Sequence, residues 1–279
     1  MSVLVFAVVL ASAVLHASWN AVAKAIPDRL VASALIGLGY LVGGVAGIVA
    51  FGLPAARSLP YAVGSALLQA GYLLLLTAAY RHGEFARVYP LARGMSPLLV
   101  TVVTVTVLGA HLSPGELAGI ALIVGALGAL VLVGGRPRRG DGLGLAAATG
   151  VVIASYTLVD GIGVRGSGDA LGYASLLFAL QGPVLPVVCR LLSGPGFTAR
   201  LVPHAPLGLL GGLLSLLSYG AVVWAQSLGS LALVSALRET SVLFAGLIGA
   251  LFFAERFSRL RMLVTGVAVG GIVLLQLAR

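Results

Sequence analysis

Two arginines lie in the most apolar parts of this sequence. Arg93 is in VYPLARGMSPLLV (88–100), and Arg238 is in SALRETSVLF (235–244). An arginine at the centre of a membrane-spanning helix costs about 2.5–3.5 kcal/mol on the insertion scale, so it tends to face a cavity or a partner. Snorkelling of the guanidinium to the membrane surface is the alternative. Two such cations favour binding of a small polar metabolite that is anionic or zwitterionic.

Polar and aromatic residues recur near these arginines at helical spacing. Tyr89, Arg93 and Ser96 are spaced i, i+4, i+7 and share one helical face. The sixth segment offers Ser155, Tyr156 and Asp160, the last near its end. Each aromatic residue taken singly is explained as well by packing, so the prediction depends on the whole set. The other candidate binding residues are His16, Trp19, Asn20, Gln69, Tyr72, Ser155, Tyr156, Tyr219, Arg238 and Glu239.

Two of these candidates could carry a proton. Glu239 and His16 are titratable groups within apolar segments, which makes them the candidates for proton coupling. His16 could instead simply hydrogen-bond a helix carbonyl. Neighbouring residues of a helix point about 100° apart, so no direct ion pair is expected between Arg238 and Glu239.

Pro90 and Pro97 flank Arg93 and remove two backbone donors from the same segment. The carbonyls that they leave without a partner are tolerated in a membrane where the helix lines a polar cavity. We therefore predict a gating role for both prolines, with a purely architectural kink as the alternative for Pro97.

The elements that position these residues follow from the composition. Of 279 residues, 59% are hydrophobic and 9% charged, and the mean hydropathy is +1.11. Soluble domains carry about 25% charged residues, so we expect an all-α, multi-pass protein of the cell inner (plasma) membrane. Ten stretches are long enough to span it, at 2–22, 31–53, 60–80, 86–110, 115–134, 143–163, 170–192, 205–227, 231–254 and 260–277.

The two halves of the chain resemble each other. ASWNAV (17–22) resembles ASYTLV (154–159), and a shift of 145 places Arg93 on Arg238 and Ser96 on Ser241. We predict two five-helix repeats, 1–134 and 142–279, in opposite membrane orientations because five is odd. Inverted repeats are a common plan of secondary transporters that work by alternating access.

The fifth and tenth segments are predicted to pack through small residues. The steps Ala121/Gly125 and Gly266/Gly270 would allow close approach of two helices. Such contacts would join either the two halves or two protomers, so a monomer and a homodimer are both open.

Several other functions lack support in the sequence. No phosphate-binding loop, HExxH pattern or GxSxG turn is present, so we expect no enzyme activity, cofactor or metal. The net charge of +9 is scattered over loops, which favours membrane lipids over nucleic acid as a partner. A lipid-linked substrate flippase, or an intramembrane enzyme, is the alternative to a carrier.

Orientation is predicted from the loop charges. Loops after odd-numbered segments hold twelve lysines and arginines, whereas the other loops and ends hold three. Because these residues concentrate in cytoplasmic loops, this count places both termini outside the cytoplasm.

The stretches HASWNAVAK (16–24), YPLARGMSPLLV (89–100) and SALRETSVLFAGLIGALFFAERFS (235–258) resemble EamA-type members of the drug/metabolite transporter superfamily. The resemblance covers essentially the whole chain. It implies a ten-helix inverted-repeat carrier that exports or imports small metabolites through a central cavity, with both termini in the cytoplasm. Glu255 and Arg256 match the family's step at the end of the ninth helix, where the first half has Ala110 and His111. The first helix lacks the glutamate of the related small multidrug transporters, so antiport of lipophilic cations by their mechanism is not expected.

Overall fold

The computed structural model describes residues 2–82, 85–133, 142–244, 247–248 and 259–278, and these residues contain helices and no strand. The first five helices are α1 (Val3–Ala25), α2 (Arg29–Phe51), α3 (Leu59–His82), α4 (Phe85–Thr106) and α5 (Pro114–Val133). The later ones are α6 (Leu143–Arg165), α7 (Ala170–Gln181), α8 (Val184–Leu192), α9 (Phe197–Leu201), α10 (Ala205–Leu228), α11 (Leu231–Arg238) and the C-terminal helix Arg259–Leu277.

Short polar residues begin several of these helices. Ser2 accepts a hydrogen bond from the backbone N–H of Val5 at 3.2 Å at the start of α1. Asp28 and Asp169 accept two backbone N–H bonds each at the starts of α2 and α7. Such caps satisfy donors that the first helical turn leaves unpaired. They allow connections of only a few residues between long apolar helices.

Seven helical stretches in the described part of the chain are long and apolar enough to cross a membrane. The region 114–129 and the region 263–277 form shorter apolar helices. The prediction of an all-helical protein with membrane-type helices is therefore confirmed. Ten spans arranged as two repeats remain a prediction.

Two predicted segments are interrupted. The seventh, 170–192, is divided into α7 and α8 at Gly182 and Pro183. The ninth predicted segment begins with α11, which ends at Arg238. A turn follows at Glu239 and Thr240, and the chain is helical again over 241–244. Broken helices at membrane depth occur where the backbone is enclosed by protein or lines a polar cavity. Both breaks lie within segments that hydropathy alone predicts as continuous.

The helices pack mainly between the two halves of the chain. α1 packs on α10, α3 on α6, α2 on both α7 and α10, and α4 between α5, α6 and α11. α5 packs on the C-terminal helix, as the small-residue pattern predicted, but the predicted glycines do not make the contact. A Cβ atom on Gly119 would lie 2.9 Å from the carbonyl oxygen of Gly271, whereas Gly125, Gly266 and Gly270 have open space around them.

The choice of glycines at this contact has a simple geometric cause. Spacing by four residues identifies small residues on one helical face, but several faces of α5 and the C-terminal helix carry glycine. The rotation of each helix then decides which glycine meets the neighbour. That rotation depends on contacts with the rest of the bundle, such as those of α5 with α4.

The connections assemble at two ends of the bundle. Asp28, which precedes α2, lies 2.7 Å from Arg200 of α9. At the other end, the Nε atom of Arg57 donates to the carbonyl of Gly166 at 2.6 Å, beyond the end of α6. Arg165 likewise donates to the carbonyl of Gly229, after α10. Arg57 and Arg165 thus both satisfy carbonyls at helix ends.

Candidate functional site

The two buried arginines meet one carboxylate. The Nε atom of Arg93 lies 2.7 Å from Oε2 of Glu239, and the Nε atom of Arg238 lies 3.6 Å from Oε1. Arg93 also donates a hydrogen bond to the Ser241 hydroxyl at 3.1 Å. These four residues, which we call the arginine cluster, are between 1% and 5% exposed. Arg93 is on α4, and the other three are at the break that follows α11.

The expectation that Arg238 and Glu239 would not pair is wrong. It assumed a continuous helix, in which successive side chains diverge. α11 instead ends at Arg238, and Glu239 is the first residue of the turn that follows. The carboxylate therefore lies between the guanidinium of its neighbour and that of Arg93. The arginines approach Glu239 as ion pairs rather than as directed hydrogen bonds, since neither carboxylate oxygen accepts a bond of good geometry from the described residues.

Tyrosine rings surround the arginine cluster. The guanidinium carbon of Arg93 lies 5.9 Å from the ring centre of Tyr89, and that of Arg238 lies 5.6 Å from the ring centre of Tyr219. Such contacts stabilise a cation by about 0.5–2 kcal/mol. Tyr156 stands edge-on to both Tyr72 and Tyr219, with ring centres 6.1 Å apart in each pair. Four helices thus contribute one tyrosine each to the site: α3, α4, α6 and α10.

The three candidate residues of α1 lie close together. The indole N–H of Trp19 donates to Nδ1 of His16 at 3.3 Å, and the two rings meet edge to face at 5.2 Å. His16 is close enough to Arg93 and Arg238 for electrostatic interaction with both. Asn20 donates to the backbone carbonyl of His16 at 2.7 Å and so bonds within its own helix.

The two prolines are buried within α4, which runs unbroken from Phe85 to Thr106. Pro97 has no N–H to offer the carbonyl four residues earlier, which is that of Arg93. Ser96, beside it, is fully buried, and its hydroxyl has no hydrogen-bond partner among the described residues. Pro97 therefore removes one helical hydrogen bond beside a buried hydroxyl that lacks a partner. The predicted gating role of Pro90 and Pro97 stays a prediction.

A second buried carboxylate lies near the first and is absent from the predicted binding set. Asp160 of α6 is 0% exposed. It accepts a hydrogen bond from Tyr219 at 2.5 Å and one from Tyr173 at 3.0 Å. The Ser65 side chain also lies beside it. We call these four residues the aspartate cluster, and Tyr219 connects it to the arginine cluster.

Two further predicted residues lie outside the arginine cluster. The Gln69 amide donates to the hydroxyl of Ser65 at 3.1 Å, which places it beside the aspartate cluster. Ser155 donates to the carbonyl of Val151 in its own helix and is half-buried. The family-specific step at Glu255 and Arg256, and the basic loop at 136–139, lie outside the described residues.

The arrangement is suited to binding an anion or a zwitterion. Its guanidinium groups offer paired donors for a carboxylate or phosphate, and its tyrosines offer apolar faces with polar edges. Among the described residues, no group of three histidine, cysteine or acidic side chains could hold a metal ion.

Comparison with known proteins supports the fold but gives no function. No family model matches the chain. No curated protein matches it either. A solved structure described as "Crystal structure of protein" is similar to it, with a TM-score of 0.73 and 19% sequence identity. The match covers 98% of this chain and 96% of the other, so the two share their fold over almost their whole lengths.

Proposed function

We propose that this protein is a secondary transporter that exports or exchanges a small polar metabolite, anionic or zwitterionic, by alternating access. The observation that carries the proposal is the arginine cluster. Arg93 from the first half and Arg238 from the second both pair with the carboxylate of Glu239, at the break that follows α11. Both arginines are almost completely buried. Buried cations at membrane depth are costly and mark substrate or ion pathways.

The packing of the helices supports two inverted repeats. If residues 1–134 and 142–279 are equivalent, α1 corresponds to α6 and α3 to α10. The contact of α1 with α10 is then the symmetry mate of the contact of α6 with α3, and both pairs pack extensively. The contacts of α2 with α7, of α4 with α11 and of α5 with the C-terminal helix each join equivalent elements. In such transporters the substrate site lies between the repeats, where discontinuous helices meet.

The resemblance to EamA-type drug/metabolite transporters is compatible with this plan. We propose that the chain is a member of that superfamily and spans the plasma membrane ten times. The arginine count places both termini outside the cytoplasm, whereas the family places them inside. Labelling of a loop cysteine from one side of the membrane decides between these two orientations.

A thermal-shift screen tests the proposal. The purified protein is heated with members of a library of small carboxylates, phosphates and zwitterions, beside the variants Arg93→Ala and Arg200→Ala. A ligand at 100 times its Kd adds about 2.7 kcal/mol to the free energy of unfolding. Arg200 is the matched control because its ion pair with Asp28 lies at the surface, with the arginine side chain 49% exposed.

We expect at least one ligand that stabilises the native chain and Arg200→Ala but not Arg93→Ala. That compound is then tested for uptake into proteoliposomes, which separates transport from binding. If Arg93→Ala and Arg238→Ala both bound and transported the compound normally, the arginine cluster would not be the substrate site.

A further inference from the structure

We propose that Asp160 is a proton-binding site, separate from the arginine cluster and linked to it through Tyr219. The role of this proton as the coupling ion of transport rests on the proposed function. The binding of the proton does not depend on that function, and it can be measured on the protein alone. The site differs from the sequence candidates for proton coupling, Glu239 and His16.

The geometry around Asp160 is that of a charge held by hydroxyl groups. Its two carboxylate oxygens accept bonds from Tyr173 and Tyr219, and Ser65 contributes a third hydroxyl. The three hydroxyls come from three different helices, α7, α10 and α3. Among the described residues, no basic nitrogen lies within 4.0 Å of the carboxylate. An enclosed carboxylate without a cation depends on such hydrogen bonds for its charged form.

The two buried carboxylates therefore differ in what a proton would do to them. Adding a proton to Glu239 would remove the anion that lies between Arg93 and Arg238, and it would leave two buried cations without an anionic partner among the described residues, which is strongly unfavourable. Adding a proton to Asp160 leaves no unpaired cation. Of the acidic residues that the structure describes, these two are the buried ones. Charge balance thus assigns the exchangeable proton to Asp160.

The groups around Asp160 do not supply a competing charge at close range. α6 packs against α3, α4, α7, α10 and α11. Tyr156 precedes Asp160 by one turn on α6 itself. On α4 the charged group is Arg93, which is paired with Glu239. The groups that face Asp160 from the other elements are Ser65 on α3, Tyr173 on α7, Tyr219 on α10 and, farther away, Arg238 on α11.

Protonation reverses one hydrogen bond. In the charged state the Tyr219 O–H donates to Oδ2 of Asp160. When a proton from water binds Oδ2, the new O–H donates to the phenol oxygen, and the Tyr219 proton must turn away from the carboxylate. No covalent bond other than the O–H of the acid forms, and deprotonation returns the proton to water.

Tyr219 carries the change toward the arginine cluster. The Arg238 guanidinium lies 5.6 Å from the centre of the same ring, so the ring that bonds to Asp160 also holds Arg238. Tyr156 contacts both Arg238 and the Tyr219 ring. A change in the Asp160–Tyr219 hydrogen bond therefore alters the surroundings of Arg238 without any new charge next to Glu239.

Infrared difference spectroscopy tests the site without a substrate. The purified protein is titrated from alkaline to acidic pH, and the carbonyl stretch of a protonated carboxylic acid is followed. We expect a band that Asp160→Asn lacks and that Glu239→Gln retains. Tyr219→Phe keeps the carboxyl group but removes one hydrogen-bond partner, so the band should persist at a shifted frequency. This variant keeps the test valid if Asp160→Asn does not fold.

Two results would overturn the site. One is a titrating band that survives in folded Asp160→Asn, and the other is a band that Tyr219→Phe leaves unshifted. The outcome is independent of the ligand screen. An Asp160 band together with no Arg93-dependent ligand would support the proton site and count against the substrate site. An Arg93-dependent ligand together with no Asp160 band would support only the carrier proposal.

Discussion

The Nε atom of Arg93 lies 2.7 Å from Oε2 of Glu239, joining α4 to the turn after α11. Glu239 also lies 3.6 Å from Arg238, so one anion serves two cations. The three charges leave a net charge of +1 in a place shielded from water. A substrate carboxylate could compete with Glu239 for the same donors, which is the chemical basis of the proposed selectivity for anions and zwitterions.

Replacing Glu239 should therefore destabilise the protein more than replacing either arginine. Glu239→Gln leaves two buried guanidinium groups unpaired and should lower the free energy of unfolding by about 3–5 kcal/mol. Arg93→Gln should cost less, because Glu239 keeps Arg238 as its partner. Denaturant unfolding in detergent measures both values.

The surface pair provides the control for this series. Arg200 and Asp28 are also 2.7 Å apart, but their side chains are 49% and 30% exposed. Arg200→Gln should change stability by no more than about 1 kcal/mol. An Arg93→Gln loss equal to or larger than that of Glu239→Gln would show that Arg238 does not stabilise the carboxylate.

Two serines that a shift of 145 in the sequence aligns, Ser96 and Ser241, should respond differently to the same substitution. Ser241 accepts a hydrogen bond from Arg93, whereas the buried Ser96 hydroxyl has no partner among the described residues. Ser241→Ala should cost about 1.5–3 kcal/mol because it removes a bond to a charged group. Ser96→Ala removes an unsatisfied hydroxyl and should be neutral or stabilising. Thermal unfolding of the two variants compares them directly, and equal losses would contradict the asymmetry.

The contact between α2 and α7 depends on a glycine. A Cβ atom at Gly44 would lie 2.8 Å from the carbonyl oxygen of Ser175 and 2.9 Å from the Cα of Ala179. Gly44→Ala should therefore push the helices apart and lower stability by about 1–3 kcal/mol. The same change at Gly64 meets open space and should stabilise α3 by about 0.5–1 kcal/mol. Paired melting curves test the contact, which is refuted if both variants are more stable.

Orientation can be measured at one exposed end of the bundle. Cys189 is buried, so a Cys189→Ala background carrying Arg200→Cys offers a single accessible thiol. The loop-charge rule predicts that this thiol lies on the cytoplasmic side. A membrane-impermeant maleimide added to intact cells should then label it only after the membrane is opened. Labelling of intact cells would favour the orientation that the family resemblance implies.

The sequence predicted most of the helices because apolar length is a local property. The boundaries of α1, α2 and α6 lie within a few residues of the predicted segments. The breaks at Gly182–Pro183 and at Glu239 were missed, since average hydropathy does not depend on a single turn. The glycines that join α5 to the C-terminal helix were also misassigned, because helix rotation is set by distant contacts.

Only part of the candidate site could be predicted from the sequence, because residue type is local whereas contacts between helices are not. Arg93, Arg238 and the tyrosines were identified by their polarity or ring type within apolar segments. The ion pair between Arg93 and Glu239 could not be identified from the sequence, because it depends on how α4 packs against α11. Asp160 had a usable signal, being an ionisable residue inside a predicted span. Its hydroxyl partners come from three other helices and could not be found from spacing.

The break after α11 also has a consequence for biosynthesis. Arg238 and Glu239 give this segment two adjacent charges, each unfavourable to release into lipid by about 2.5–3.5 kcal/mol when unpaired. Arg93, which pairs with Glu239, belongs to α4, which leaves the ribosome much earlier. If the ninth predicted segment spans the membrane, we expect its insertion to cost less once α4 is already in place to pair with Glu239. On this view, the order of synthesis and charge complementarity would make the first part of the chain an intramolecular template for inserting the later part.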